Sequence, residues 1–148
     1  MSTVRARALG ASLIVSCFAL AGCGKEVGRI PLTGDGSGAT SVAVGSKGLA
    51  LWTDLDVAYT GELGATYQVE MLQGGKVVGT ATCNPFDVST KIKSVQTSIN
   101  GKNTMRYGGK MRCSADVPAG ATEVKATLSI APKPAALTIT KMDLVLKE

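Results

Sequence analysis

Histidine is missing from all 148 residues of the sequence. Its absence excludes Ser-His-Asp and Cys-His catalysis, together with every zinc site that uses imidazole ligands. Aromatic residues are scarce, with one Trp, three Tyr and two Phe, and there is no Cys-x-x-Cys redox motif. These absences predict a protein that is not an enzyme and that carries no metal.

A long hydrophobic run is missing as well. The apolar stretch 8–21 is shorter than the roughly 20 residues that a membrane-spanning helix requires. Arg5 and Arg7 precede it, and the first acidic residue of the chain is Glu26. A basic start followed by a short apolar stretch is typical of a secretory signal, so residues 1–22 are predicted to be a cleaved signal helix.

The predicted signal ends in the sequence Leu20-Ala21-Gly22-Cys23. This stretch resembles the lipobox of bacterial lipoprotein precursors, a resemblance that covers only the first 23 residues. It implies cleavage before Cys23, a diacylglycerol on the Cys23 thiol and an acyl chain such as palmitate on the new amino group. Because each buried CH₂ contributes roughly 0.8 kcal/mol, several chains would anchor the protein permanently.

The residue after Cys23 bears on localisation. In Gram-negative lipoproteins an Asp there favours the inner membrane, whereas Gly24 follows in this chain. The resemblance therefore implies the outer membrane of the cell envelope, with the covalent lipid on Cys23 as the only bound group. A plain secretory signal with an incidental Cys23, or an uncleaved anchor helix, are the alternatives.

Removal of 22 residues leaves 126, enough for one domain with a core. We assign residues 23–27 to a lipidated tether and residues 28–148 to that domain. Without Arg5 and Arg7 the chain has 14 basic and 11 acidic residues, a net charge of +3. A value this small does not indicate nucleic-acid binding.

Cysteine usage follows from the lipobox resemblance. Cys17 leaves with the signal and Cys23 carries the lipid, so Cys83 and Cys113 remain. Two cysteines in an exported domain are expected to pair. A disulfide that closes the loop from Cys83 to Cys113 would stabilise the folded protein by roughly 3–4 kcal/mol. Two free buried thiols are the alternative.

The mature chain shows period-two apolar patterns that indicate β-strands. The clearest runs from Leu49 to Tyr59, with Trp52, Asp54 and Asp56 on its polar side. Gly74-Gly75 and other turn signals separate such segments. No amphipathic helix is evident.

Two strands show a slip in their apolar phase, one between Ile92 and Val95 and one near Thr140. Each slip predicts a β-bulge. In all, the pattern predicts an all-β fold: an antiparallel β-sandwich of about eight or nine strands, either jelly-roll or immunoglobulin-like.

Trp52, Asp54 and Asp56 form the first candidate site. An outward aromatic beside carboxylates is a common way to hold a sugar, since the ring stacks on C–H groups and the oxygens accept hydroxyls. The alternative places Trp52 in a minor core or under a loop. A glycosidase pair is disfavoured because neighbours on one strand lie too close to flank a substrate.

A run of basic residues without any acid forms the second candidate site, a patch for an anionic envelope partner such as lipopolysaccharide, phospholipid headgroups or an acidic protein. Ordinary solvated strand faces are the alternative. Besides Lys102, the run contains Lys91, Lys93, Arg106, Lys110 and Arg112.

The turn Gly34–Gly38 contains two residues, Asp35 and Ser37, whose oxygens suit calcium. The ligand series of an EF-hand is missing, so no metal site is predicted there.

These observations together predict a non-enzymatic, membrane-anchored lipoprotein that binds or scaffolds an envelope component. A carbohydrate-binding module is the alternative. The expected partners are the membrane, reached through the lipid, and an envelope protein, lipopolysaccharide or glycan, but not nucleic acid.

Overall fold

A computed structural model describes residues 24–148, all of which lie in strands, turns and loops. The predicted signal helix, residues 1–22, and Cys23 lie outside the described residues. Nine strands form two antiparallel sheets, sheet A with five strands and sheet B with four. The predicted antiparallel β-sandwich is therefore confirmed for the described chain.

The strands follow one another along the chain with short connections. Their bounds are β1 Glu26–Ile30, β2 Gly36–Ser41, β3 Ala50–Thr60, β4 Ala65–Gln73, β5 Lys76–Cys83, β6 Val88–Ile99, β7 Lys102–Met111, β8 Glu123–Ile130 and β9 Ala136–Lys147.

The topology distinguishes between the two sandwich types that the sequence left open. Sheet A has the order β1-β9-β3-β7-β6, and sheet B has the order β2-β8-β4-β5. Strands pair from the ends of the chain inward, β1 with β9, β2 with β8, β3 with β7 and β4 with β5. This nested pairing is that of a jelly roll, with β6 as an additional edge strand on sheet A.

Alternate residues of both sheets point inward and form one core. Leu51, Leu55 and Val57 of β3 face Tyr67 and its neighbours on β4, and all of them are buried. The Tyr67 hydroxyl donates to the Met142 carbonyl over 2.8 Å, and burial raises its pKa. No buried side-chain polar atom of the described residues lacks a hydrogen-bond partner. The core is thus mainly apolar, and its few buried polar side chains are all hydrogen-bonded.

Both predicted bulges are present. The pairing of β6 with β7 shifts between Ile92 and Val95, and the pairing of β3 with β9 passes from Lys141 to Ile139, which leaves Thr140 as the extra residue. An extra residue keeps the inward and outward sides in phase on both halves of a strand. The apolar slips in the sequence have this origin.

The Cys83–Cys113 disulfide is confirmed, with an S–S distance of 2.05 Å. Cys83 ends β5 in sheet B, whereas Cys113 follows β7 in sheet A. The bond therefore joins the two sheets to each other at one edge of the sandwich.

Two boundaries differ from the expectations. β1 begins at Glu26, so Glu26 and Val27, which belong to the expected tether, lie in the first strand, and Glu26 pairs with Lys147 of β9. β2 begins at Gly36, inside the expected turn, because Gly36 to Ser41 pair with β8. β7 ends at Met111, where the chain leaves sheet A and crosses toward Cys83.

The two chain ends of the described domain lie together at one end of sheet A. The Glu148 N–H donates to the Lys25 carbonyl over 3.0 Å, and Glu26 pairs with Lys147. The opposite end of the sheet carries the turn between β6 and β7. None of the elements of residues 24–148 is a helix long and apolar enough to cross a membrane.

Candidate functional site

The first candidate site lies on the face of sheet A that points away from sheet B, here called the outer face. Trp52, Asp54 and Asp56 project to this face because their neighbours Leu51 and Leu55 enter the core. They line an open groove of about 670 Å³, the outer-face groove. Its other lining residues include Glu26, Arg29, Ile92, Lys93, Arg106, Lys141, Val145 and Lys147.

Trp52 is covered, with only 5% of its surface exposed. The Lys147 ammonium lies 4.3 Å from the centre of the indole ring, a cation–π contact that occupies one ring face. The ring is therefore not a free platform for stacking on a sugar. This arrangement matches the alternative in which both faces of the strand are covered.

Arg29 organises the acidic residues of the outer face. It is half-buried on β1 and donates to Glu26 on the same strand through two nitrogens, over 2.8 and 2.9 Å. Its Nη1 also donates to Asp54 on β3, over 2.9 Å, and to Asp143 on β9, over 2.8 Å. The hydrogen bonds that Arg29 donates to Glu26, and to Asp54 and Asp143, raise the pKa of its guanidinium. One guanidinium thus ties three strands together.

Asp54 and Asp143 are direct cross-strand partners, an arrangement in which like charges repel. Arg29 lies between them and removes the conflict, and Asp143 also accepts the Leu32 N–H over 3.2 Å. Burial raises the pKa of Asp54, but hydrogen bonds from Arg29 and Lys141 outweigh it and hold the pKa below its usual range. Arg29 likewise lowers the pKa of Glu26. Both groups are held as carboxylates, so neither is prepared to act as a general acid at neutral pH.

Asp56 links the two candidate sites. Its carboxylate accepts a hydrogen bond from Arg106 over 3.0 Å, and the two residues are cross-strand partners on β3 and β7. Asp56 and Arg106, which are 50 positions apart in the sequence, thus share one face and partly neutralise each other.

The five basic residues of the second candidate site do not share one surface. Lys93 and Arg106 line the outer-face groove. Lys91 instead lies over the Tyr107 ring, with its ammonium 4.8 Å from the ring centre, on the side facing the core. Arg112 lies beyond β7 and pairs with Asp87 over 2.6 Å. Strand alternation and the β6 bulge distribute the charges over both faces.

Lys110 has a separate position next to the groove. It is the cross-strand partner of Trp52 and projects to the outer face, but it is not among the residues that line the groove.

Four residues of the outer face were not singled out from the sequence: Arg29, Lys141, Asp143 and Lys147. They come from the first and last strands, and Arg29 and Asp143 are 114 positions apart. One signal was available. Asp143 is the only charged residue in the apolar run Met142–Leu146, which indicates a buried carboxylate in need of a partner.

The charges of the outer-face groove do not cancel. Five cations line it, against the three carboxylates of Glu26, Asp54 and Asp56. Every one of those carboxylates already accepts a hydrogen bond from an arginine or lysine. Within residues 24–148, Lys93 and Lys147 have no carboxylate partner. Even with Asp143 beneath the groove included, cations remain in excess.

The Asp35 carboxylate is engaged within the chain. It accepts the Ile130 N–H over 2.6 Å and the Lys133 ammonium over 3.1 Å, and these contacts lower its pKa. It joins the loop before β2 to the end of β8. In the described part of the chain, no group of three acidic or cysteine side chains is arranged to hold a metal ion.

No protein-family model matches the chain, and a search of curated proteins finds no match.

Proposed function

We propose that this protein is a lipid-anchored, non-enzymatic binding module of the bacterial cell envelope, and that its outer-face groove holds an anionic headgroup. The charge balance of the groove carries the proposal. Its carboxylates are already bound by Arg29, Lys141 and Arg106, whereas Lys93 and Lys147 lack an acidic partner among the described residues. A groove with this excess attracts anions.

The size and lining of the groove favour a small group over an extended polymer. About 670 Å³ falls within the usual range for small-molecule sites. Ile92 and Val145 add apolar surface beside the cations. A phosphate-bearing headgroup with some apolar surface suits this combination, since lysine and arginine both bind phosphate oxygens.

The position of the groove favours a headgroup in the membrane that holds the protein. Glu26 lines the groove, and it follows Cys23, the proposed lipidated residue, by three positions. A groove that starts so close to the anchor lies within reach of the surrounding lipids. The lipobox supports the anchor, and Gly24 supports the outer membrane as its location.

The carbohydrate alternative has less support. Sugar stacking needs an open aromatic face, and the Trp52 ring is 5% exposed with Lys147 over it. Sugar hydroxyls need free carboxylate oxygens, and Asp54 and Asp56 are occupied by cations of the chain. A neutral glycan would have to displace both sets of contacts.

The proposal is tested by cosedimentation of the chain from Gly24 onward with vesicles, since the buried core of the described residues lies within residues 30–146. Vesicles of phosphatidylcholine with phosphatidylglycerol are compared with phosphatidylcholine alone, and lipopolysaccharide micelles form a third arm. We expect binding to the anionic lipid. Substituting Lys93→Gln with Lys147→Gln should weaken it roughly thirtyfold, at about 1 kcal/mol per cation near a charged surface.

A matched control is Lys76→Gln with Lys125→Gln, which removes the same charge from sheet B and should bind like the wild type. Stronger binding to lipopolysaccharide than to phosphatidylglycerol would identify the glycolipid as the source of the headgroup. Equal loss in both variant pairs would show attraction by net charge alone and would contradict a role for the groove.

The anchor has an independent test. Mass spectrometry of the mature protein from membranes should show a chain that begins at Cys23 and carries a diacylglycerol and a further acyl chain. A free Cys23 thiol, or a start at another residue, would contradict the anchor without bearing on the groove.

A further inference from the structure

The second half of β6, from Lys93 to Ile99, is a strand edge that nothing in the described chain covers. β6 spans 12 residues and pairs only with β7. Every residue from Lys93 to Ile99 is exposed, so neither face of this segment is covered. Because an antiparallel strand directs alternate N–H and C=O groups to each side, half of these groups point away from β7 without a strand partner.

The other sheet edges are shorter or partly occupied. β1 has five residues and contains an irregularity near Gly28, and β2 has six residues. On the β5 edge, the Ser114 N–H donates to the Thr82 carbonyl over 3.2 Å. Proteins commonly shorten, cover or charge their edges in this way. The segment Ser94–Ile99 has no such protection, since it is long, uncharged and free of proline.

The β6 edge is also apolar on one face and regular in register. Val95, Thr97 and Ile99 share the outer face, and 53% of Val95 and 67% of Ile99 are exposed. From Val95 to Ile99 the pairing with β7 continues without a shift. The bulge at Lys93 ends this regular stretch at one side and the turn at Asn100-Gly101 ends it at the other.

The surrounding charge is of one sign. No acidic residue occurs from Val88 to Met111, the range of the β6–β7 hairpin, which carries five cations. Only Arg106 among them has a carboxylate partner within the described residues. Lys93 and Lys102 flank the free stretch at its two ends.

We propose that the edge of β6 from Val95 to Ile99 accepts an extended acidic segment of another protein as an additional antiparallel strand of sheet A. Backbone hydrogen bonds supply affinity in this mode, and alternate side chains supply specificity. Here the segment would place apolar side chains beside Val95 and Ile99, with acidic residues near Lys93 and Lys102.

A second copy of the chain fits this edge less well. Pairing β6 with its own copy would bring two hairpins of five cations each together without an acidic residue in either. Like charges across strands destabilise a sheet. The uncharged edge invites pairing, and the flanking cations select an acidic partner.

This stretch begins beside the outer-face groove, where Val95 pairs with the groove residue Arg106, and runs away from it. Ile99 pairs with Lys102, which in turn lies opposite Thr60, eight positions along β3 from Trp52. At about 3.3 Å per residue the free stretch extends roughly 26 Å from the tether end of the groove. If Cys23 is the anchor, the β6 edge faces away from the membrane and toward other envelope proteins.

The test uses the chain from Gly24 onward and a synthetic peptide of eight alternating glutamate and valine residues. Amide exchange measured by NMR should show slower exchange at alternate residues between Val95 and Ile99 when the peptide is bound. Lys102→Glu should weaken peptide binding about fivefold, because the substitution removes one attractive charge pair with the peptide and introduces a repulsive one in its place. Lys76→Glu is the matched control, and a lysine–valine peptide should not bind.

Three outcomes would overturn the proposal. The amides between Val95 and Ile99 could show no protection when the peptide is added, or Lys76→Glu could weaken peptide binding as much as Lys102→Glu does. Protection could also appear without peptide and rise with protein concentration. The last would assign the edge to a second copy. The groove variant Lys147→Gln retains both Lys93 and Lys102, the cations that flank the free stretch, and should therefore still protect these amides when the peptide is bound. Failure of vesicle binding therefore leaves this inference intact, and the reverse holds too.

Discussion

A single arginine links the first and last strands of the fold, β1 and β9, to β3. Arg29 contacts carboxylates on β1, β3 and β9, and it separates Asp54 from Asp143, which pair directly across two strands. Because Asp143 is buried, loss of the guanidinium would leave it beside a second carboxylate without a cation between them. A buried carboxylate without a cation partner destabilises the folded protein, because its removal from water is no longer compensated.

Arg29→Met should therefore lower the free energy of unfolding by about 2 kcal/mol. The expected loss is smaller than that for breaking a fully buried ion pair, because 34% of the Arg29 side chain is exposed. Urea denaturation measures the change, with Arg112→Met, which removes an exposed pair with Asp87, as the control. Adding Asp143→Asn to Arg29→Met should restore part of the loss, and no recovery would contradict the role given to Asp143.

The same contacts predict how stability depends on pH. The pKa values of Glu26 and Asp54 are lowered in the folded protein, so these groups stabilise it at pH above their unfolded values, which are near 4. That contribution is lost as the pH falls through the lowered folded values. The deficit of Arg29→Met should thus be largest at pH 7 and small at pH 3. Urea denaturation at both pH values decides this, and a deficit that grows in acid would contradict it.

At the scale of the strand, the sequence predicts the fold where a local pattern determines it. Alternation in β3 separates Trp52, Asp54 and Asp56 from the core, and the phase slips at Ile92–Val95 and Thr140 mark real bulges. Local sequence patterns do not reveal the order of the strands within each sheet. That order brings β1 and β9 beside β3, and with it Arg29 and Lys141, which alter the chemistry of both aspartates.

The boundaries missed from sequence have a related cause. Gly36 and Ser37 look like turn residues by composition, yet β8 offers a partner strand that draws them into sheet B. Glu26 looks like tether until β9 pairs with it. Tertiary pairing overrides local preference at both places.

Close packing of β6 on β7 gives a prediction at this scale. A Cβ on Gly109 would lie 2.8 Å from Val88 Cγ1 and 3.1 Å from Val88 Cβ, which is closer than unstrained contacts allow. Gly109→Ala should therefore destabilise the protein by about 1–2 kcal/mol through overpacking. Adding Val88→Ala should relieve most of this loss in thermal or urea unfolding. An additive loss in the double variant would show that the contact is not the cause.

At the scale of the whole molecule, the sandwich presents two open surfaces that adjoin at Lys93 and Arg106. Nested pairing places the chain ends together at one end of sheet A and the β6–β7 turn at the other. The outer-face groove begins at the first end, and the free β6 edge lies toward the second. A module attached by Cys23 could thus hold a headgroup close to its anchor and a protein segment far from it.

The disulfide is the covalent link between the two sheets. Its loss through the paired substitution Cys83→Ala with Cys113→Ala should lower the free energy of unfolding by roughly 3–4 kcal/mol, because the closed loop restricts the unfolded chain. Urea unfolding of the oxidised wild type and the variant measures the change. Equal stability of the two would mean that the link contributes nothing beyond the packing of the core.

The most direct test of anion binding in the outer-face groove uses the only tryptophan of the chain as a reporter, since Trp52 lines the groove under Lys147. The chain from Gly24 onward is titrated with short-chain phosphatidylglycerol below its micelle concentration, and Trp52 emission is recorded. We expect a saturable change that short-chain phosphatidylcholine does not produce and that Lys93→Gln with Lys147→Gln largely removes. An emission that stays constant, or that responds equally to both lipids, would contradict an anion-binding groove.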